Sequence, residues 1–194
     1  ADRMLLNVEN ILEFADAVRM EDVEELIGRQ IAYNTAISDE GLKGKYGVET
    51  GRILMENAQR ASGLNRVRLQ ARAAAAAGSD ARMSGCSLPV VINSGSGNQG
   101  ITVTMPIVTY AREWNAAQDL LYRALVLGNL ISVHQKKYIG SLSAYCGATS
   151  AATGAACGVA YMMLKQKGEQ DRIYQILCDT ITNSIETLGG MVCD

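Results

Sequence analysis

Five consecutive alanines at positions 73–77 sit inside a stretch with helical periodicity, and they constrain the fold more than any other feature. Alanine is the strongest helix former, and a face of methyl groups lets a second helix approach closely. The same economy of side-chain size runs through all 194 residues, where aromatic residues make up 5% and glycine occurs 19 times. A core of small residues suits helices packed at short range and disfavours a β-rich domain. The expected class is therefore all-α, with a single helical domain over 1–194. That length suffices to bury a sizeable core.

Apolar residues at helical spacing predict helices over 8–18, 21–38, 48–61 and 64–77. Glycine-punctuated loops are expected at 41–47 and 78–87. A helix over 101–112 contains Pro106, which implies a kink or a late start. A long helix over 115–137 is apolar on most faces and so is expected at the centre. Residues 140–144 read as a break. Residues 146–167, with glycines at 147, 154 and 158, read as a helical hairpin or as one small-residue helix. An amphipathic helix over 171–188 ends at Gly189 and Gly190, the usual chemistry of a helix stop. The extended run 90–92 allows at most a short β segment.

Charge and hydropathy exclude several classes. A net charge of −2 and a pI near 5.5 leave no basic stripe for nucleic acid. No apolar run reaches the ~20 residues of a membrane span, and 120–133 is interrupted by Arg123 and Asn129. The start shows no signal-peptide pattern, so a cytoplasmic protein is expected. In that setting the five cysteines, Cys86, Cys146, Cys157, Cys178 and Cys193, are buried thiols or metal ligands rather than structural disulfides.

One segment stands apart from the helical pattern. Pro89, Val90, Val91 and Ile92 run into Asn93-Ser-Gly-Ser-Gly-Asn-Gln-Gly100, and an apolar stretch follows. Glycines let a backbone approach a ligand, and free N–H groups beside small polar side chains can hold a carboxylate or phosphate. Asn93, Ser94, Gly95, Ser96, Gly97, Asn98 and Gln99 are therefore candidate ligand-binding residues. Residues 95–100 also satisfy the dinucleotide fingerprint G-x-G-x-x-G. That reading needs a second buried strand about 20 residues on, ending in an acid, whereas 110–119 is polar and helix-prone. A turn without a ligand is the remaining alternative.

Three separated motifs in order carry a family resemblance: the loop 93–100; His134-Gln-Lys with Ile139-Gly-Ser-Leu-Ser-Ala-Tyr-Cys146-Gly; and Gly190-Met-Val-Cys193-Asp. Together with Ile37-Ser-Asp-Glu-Gly-Leu-Lys-Gly-Lys-Tyr-Gly47, they resemble the bacterial L-cysteine desulfidase family. That family is a relative of the catalytic alpha domain of the iron–sulfur L-serine dehydratases. The resemblance implies an all-α catalytic domain whose three cysteines hold an oxygen-sensitive [4Fe–4S] cluster with one iron left open. Cys146 matches the first ligand and Cys193 the second. The third falls in a motif of the form C-D-G-A-K-x-S-C, of which this chain contains the first two residues. The implied reaction is β-elimination from L-cysteine, giving pyruvate, ammonia and sulfide, with L-serine as the alternative substrate. The loop 93–99 would hold the substrate beside the open iron. By the same resemblance the chain is a fragment, lacking an N-terminal region before Leu5 and the last ligand segment. It is expected to hold the cluster poorly and to be inactive alone.

The remaining candidates carry plainer readings. His134, the only histidine, is either a general base or a structural residue. Lys136 and Lys137 complement the end of their helix. Cys157 and Cys178 read as core, and Cys86 lies near the loop in sequence without matching a ligand. Asp39, Glu40, Lys43 and Lys45 read as a solvated surface, and Trp114 as a packing anchor. The expected partner is a small amino acid, with homodimerisation left open.

Overall fold

The computed structural model describes residues 3–140 and 146–188. These form eight α-helices: α1 (Val8–Ala17), α2 (Met20–Lys43), α3 (Thr50–Gln59), α4 (Gly63–Met83), α5 (Gly97–Glu113), α6 (Gln118–Ile139), α7 (Gly147–Lys167) and α8 (Ile173–Leu188). Short 3-10 turns at Arg3–Leu5 and Gln170–Arg172 precede α1 and α8. No strand forms among the described residues; the β-type pairing present is an isolated bridge between Asn93 and Ser96. The all-α expectation holds.

Helix ends follow local chemistry. The Asn7 side chain accepts the Asn10 N–H at 2.8 Å and caps α1. Gly168, with φ of 73°, closes α7 in the left-handed conformation while the Glu169 N–H returns to the Leu164 carbonyl. Pro106 is accommodated inside α5, which runs through it.

Several helices run past their expected limits, and the cause is packing. α2 continues through Gly41 to Lys43, within the expected 41–47 loop. α4 continues through Gly78 to Met83, within the expected 78–87 loop. Any Cβ at Gly41 or Gly51 would run into the backbone of Ala77, so α2 and α3 both press on the alanine face of α4. A Cβ on Gly78 would fall 2.8 Å from Ile101 Cγ2. Close burial outweighs the roughly 1 kcal/mol that glycine costs inside a helix. α7 is one helix, not a hairpin. Its Gly154 meets Gly128 of α6 backbone to backbone, and its Gly158 seats the side chain of Ile107.

The interior divides into two apolar cores. The larger gathers Ile11, Ile107, Leu125, Leu127, Ile131, Tyr161 and Leu177 from α1, α5, α6, α7 and α8. This places the long helix α6 at the centre, as expected. The smaller holds Ile37, Ala74, Ala81, Ile101 and Met105 between α2, α4 and α5. Along α2 and α5 the boundary between the cores is polar, with Gln30, Asn34 and Thr104 buried there.

Candidate active site at the start of helix α5

Residues 93–96 fold back on themselves. The Asn93 N–H donates to the Ser96 carbonyl at 3.1 Å, and the Ser96 N–H donates to the Asn93 carbonyl at 3.0 Å. The two central residues, Ser94 and Gly95, have φ of 48° and 83°, the paired positive values of a type I′ turn. α5 starts directly after it, so Gly97, Asn98 and Gln99 form the first helical turn rather than a loop. Ser96 provides no side-chain cap. The N–H groups of that first turn therefore lack intrahelical partners, and the end carries the positive pole of the helix.

A buried polar network fixes this turn. Asn34 works like a neighbouring strand: its Oδ1 accepts the Val91 N–H at 2.9 Å, and its Nδ2 donates to the Val91 carbonyl at 3.1 Å. Val91, in the middle of the extended run, thus satisfies its backbone without a sheet, and the dinucleotide fingerprint has no strand to follow. The Thr104 hydroxyl donates to the Gly100 carbonyl at 2.6 Å. It accepts from Gln30 Nε2 at 2.7 Å and from Asn34 Nδ2 at 3.0 Å. Asn129 on α6 donates to Gln30 Oε1 at 2.9 Å and accepts from Asn93 Nδ2, also at 2.9 Å. Asn93 Oδ1 in turn accepts from the Ser132 and Ser94 hydroxyls, each at 2.9 Å. Asn93 is 5% exposed and its amide is committed to α6 and to its own turn. It positions the loop.

Asn34→Ala is expected to cost about 2–4 kcal/mol, because it strands both backbone groups of Val91 and one acceptor on Thr104. A urea denaturation midpoint unchanged from wild type would contradict that.

Two other side chains border the first turn of α5. Gln99 is 9% exposed, and its Oε1 is buried with no hydrogen-bond partner among the described residues. Its amide lies against Gly147, the first residue of α7, where a Cβ would strike it. Neighbouring Cα atoms lie about 3.8 Å apart, so Cys146 Cα falls within roughly 8 Å of the Gln99 amide. Cys146 is the N-cap residue of α7. It is half-buried, and its carbonyl accepts the Thr149 hydroxyl at 2.7 Å and the Thr149 N–H at 3.2 Å. Its thiol takes no part in that cap. The first turns of α5 and α7 thus converge on one region that contains Gln99 and Cys146. On another side of α5, Arg82 reaches back from the end of α4. Its Nη1 donates to Asn98 Oδ1 at 3.2 Å, and its side chain occupies the space a Cβ on Gly97 would need.

Cys193, the segment 141–145 and the Gly189-Gly190 ending lie outside the described residues. Among the described residues, no three of His, Cys, Asp and Glu gather as a metal site. Of the described thiols, Cys146 is the one at the converging helix starts. Cys157 is in the core, where burial pushes its thiol up to about 12. Cys178 contacts Tyr174 on α8. Cys86 faces Tyr46, whose hydroxyl donates to Glu40 Oε1 at 2.8 Å. Asp39, Lys43 and Lys45 are exposed, whereas Glu40 is half-buried by that bond. Trp114 packs on Tyr110 with ring centroids 4.8 Å apart.

His134 is not brought to this region. At 3.6 residues per turn it points about 200° around α6 from Ser132. There it meets Tyr138 edge-on at 5.3 Å and the backbone of Leu6. Burial lowers its pKa, Leu6 opposes that, and the Lys137 cation adds to the lowering. The folded state therefore favours the neutral form of His134 relative to the unfolded chain, which takes up a proton near 6.5. Its stabilising contribution is present above that pH and is lost as pH falls below it. Urea midpoints should drop on the acid side between about pH 7 and pH 5, and His134→Gln should flatten the slope. An equally steep slope in the variant would count against this.

Sequence reading missed Arg82 and the supporting set of Gln30, Asn34, Thr104, Asn129 and Ser132. A signal for the supports was present: Gln30 and Asn34 lie one turn apart on a stripe that otherwise carries Ile27 and Ile37. Polar residues on an apolar face mark a buried network.

No described helix is long and apolar enough to cross a membrane. No solved structure matches the chain significantly. Among curated proteins it is similar to a UPF0597 protein of Desulfitobacterium hafniense (strain Y51), with 50% identity over 193 residues, 100% of this chain and 42% of that protein. Similar relatives occur in Treponema denticola, at 46% identity over 100% of this chain and 43% of the relative, and in Finegoldia magna, at 49% over 97% and 42%. The chain thus spans about two-fifths of the length of the curated relatives it matches. The family model described as serine dehydratase alpha chain matches residues 2–194. With that match over nearly its whole length, the chain belongs to the serine dehydratase alpha chain family.

Proposed function

We propose that this chain forms the substrate- and cluster-binding part of a lyase that removes a β-substituent from a small amino acid. The observation that carries the reading is the convergence of two helix starts. α5 brings uncapped N–H groups and Gln99, α7 brings Cys146, and the Gln99 amide touches Gly147. Cys146 would be one cluster ligand and Cys193 a second. A [4Fe–4S] cluster with an open coordination position supplies a Lewis acid for the leaving group.

The chain's own residues do the rest. The first turn of α5 holds the charged ends of the substrate. Asn93, Asn129 and Ser132 keep that turn in register with α6, and Asn34 holds the segment leading into it. A proton leaves Cα, and sulfide or hydroxide leaves Cβ. The resulting aminoacrylate tautomerises and hydrolyses to pyruvate and ammonia. The form of the 93–100 loop and the Cys193-Asp194 ending favour L-cysteine. The description of the matching family favours L-serine.

The test is anaerobic reconstitution of the full-length protein with iron and sulfide, followed by pyruvate and sulfide assays on L-cysteine and pyruvate and ammonia assays on L-serine. We expect thiolate-to-iron charge-transfer absorbance and product from at least one amino acid. Neither absorbance nor product would overturn the reading.

A further inference from the structure

We propose that Arg82 is the carboxylate anchor of this site and that Gln99 Oε1 takes the ammonium, so that the start of α5 selects a free α-amino acid over a simple anion. The inference rests on the proposed function and assigns to it a residue that the family motif does not contain.

Arg82 is half-buried at the last turn of α4. Its partners among the described residues are Asn98 Oδ1 at 3.2 Å and Met83 Sδ at 3.7 Å, both taken by Nη1. No described carboxylate lies within ion-pair distance of it. A guanidinium carries five N–H donors in a planar fork, and a fork of that shape matches a carboxylate. Gly97 lets it lie there, since any Cβ would collide with Arg82 Nε and Cδ. The cation therefore borders the uncapped N–H groups of the first turn, and both attract the same anion.

Gln99 provides the second, independent requirement. Its Oε1 is an acceptor buried away from solvent with no partner among the described residues, an arrangement that normally costs free energy. Gln99 stands about 200° around α5 from Gly97, so it borders the first turn on the α7 side while Arg82 borders it on the α4 side. A phosphate or a simple carboxylate can offer Gln99 at most a neutral O–H, whereas an amino acid offers a cationic N–H donor. A zwitterion lying across the opening satisfies Arg82 with one end and Gln99 with the other.

The experiment uses the full-length protein, with calorimetric binding on cluster-loaded and cluster-free samples and steady-state kinetics on the loaded one. The probes are L-serine, L-cysteine, ethanolamine (no carboxylate), 3-hydroxypropanoate (no ammonium) and inorganic phosphate. Wild type should bind an amino acid more tightly than either truncated analogue or phosphate. Arg82→Gln should raise KM roughly 10- to 100-fold with a much smaller effect on kcat, and should erase the preference for L-serine over ethanolamine. Arg82→Lys should recover part of the affinity, which separates loss of charge from loss of folding. Gln99→Leu should erase the preference for L-serine over 3-hydroxypropanoate.

Wild-type affinity and wild-type preference in Arg82→Gln would overturn the assignment while leaving the lyase reading intact. Phosphate binding as tight as amino-acid binding would overturn it too, as a plain anion site. If wild type neither binds nor converts any amino acid, the proposed function falls and the inference with it.

Discussion

Cys146→Ser in the full-length protein is expected to abolish cluster loading and to lower turnover by at least roughly 10³-fold, the scale of losing a Lewis acid at the leaving group. The fold should be untouched. Cys146 caps α7 through its backbone carbonyl, which accepts from Thr149, and serine keeps that carbonyl. Serine is also a better N-cap than cysteine. The melting temperature of the cluster-free protein should therefore match wild type or rise slightly, while iron content and charge-transfer absorbance fall to background. Full iron content and full turnover in the variant would remove Cys146 from the site. Cys157→Ala is the contrasting case. It opens a small cavity in the larger core, beside Cys178 of α8, and should lower stability while leaving iron binding in place, since the Cys157 thiol is buried in the core.

Gly154→Val is expected to produce the largest loss of stability. Gly154 and Gly128 mark where α7 and α6 cross. A Cβ at Gly154 would strike the Gly128 carbonyl and approach Ser132 Cβ to 3.2 Å, and a Cβ at Gly128 would lie 2.8 Å from the Gly154 carbonyl. Overpacking a core usually costs 1–3 kcal/mol because side chains can rotate away. Here the obstacle is backbone, so about 3 kcal/mol or more is expected, against a typical total stability of about 5–15 kcal/mol. In a domain of this size that is a fall in melting temperature of roughly 6–12 °C. The site should suffer as well, because α6 carries Asn129 and Ser132 while α7 carries Cys146. Gly154→Ala should show the same effect in smaller measure. A melting temperature within a degree of wild type for Gly154→Val would show that the helices separate at no cost.

The helical class was legible because periodicity is a local property. Apolar residues recur at helical spacing in most of the segments that became helices, α7 being a run of small residues instead, and the alanine run 73–77 became the face on which α2 and α3 pack. The loop at 93–100 stood out for the same reason: such density of glycine, serine and asparagine is unlike its neighbours. Its chemistry was less legible. Seven residues, Asn93 to Gln99, stood as equivalent candidates, whereas the structure commits Asn93 to support and leaves the Gln99 acceptor unpaired among the described residues. Arg82 gave no signal, because an arginine near a helix end is ordinary until something is seen to lie across from it.

Glycine shows most clearly where the sequence stopped. Read alone, Gly41 and Gly78 open loops and Gly154 lies in either a hairpin or one helix, since glycine weakens an isolated helix. In the folded chain each is a point of contact, against Ala77, Ile101 and Gly128. The sequence by itself determined that this protein is helical, closely packed and provided with a small polar turn. The tertiary structure decided where the helices end, that the starts of α5 and α7 converge, and that Gln99 and Arg82 border the first turn of α5 on its α7 and α4 sides. The physical reason is that a missing side chain or an unpaired amide takes its meaning from the atoms opposite it, and those come from parts of the chain far away in sequence.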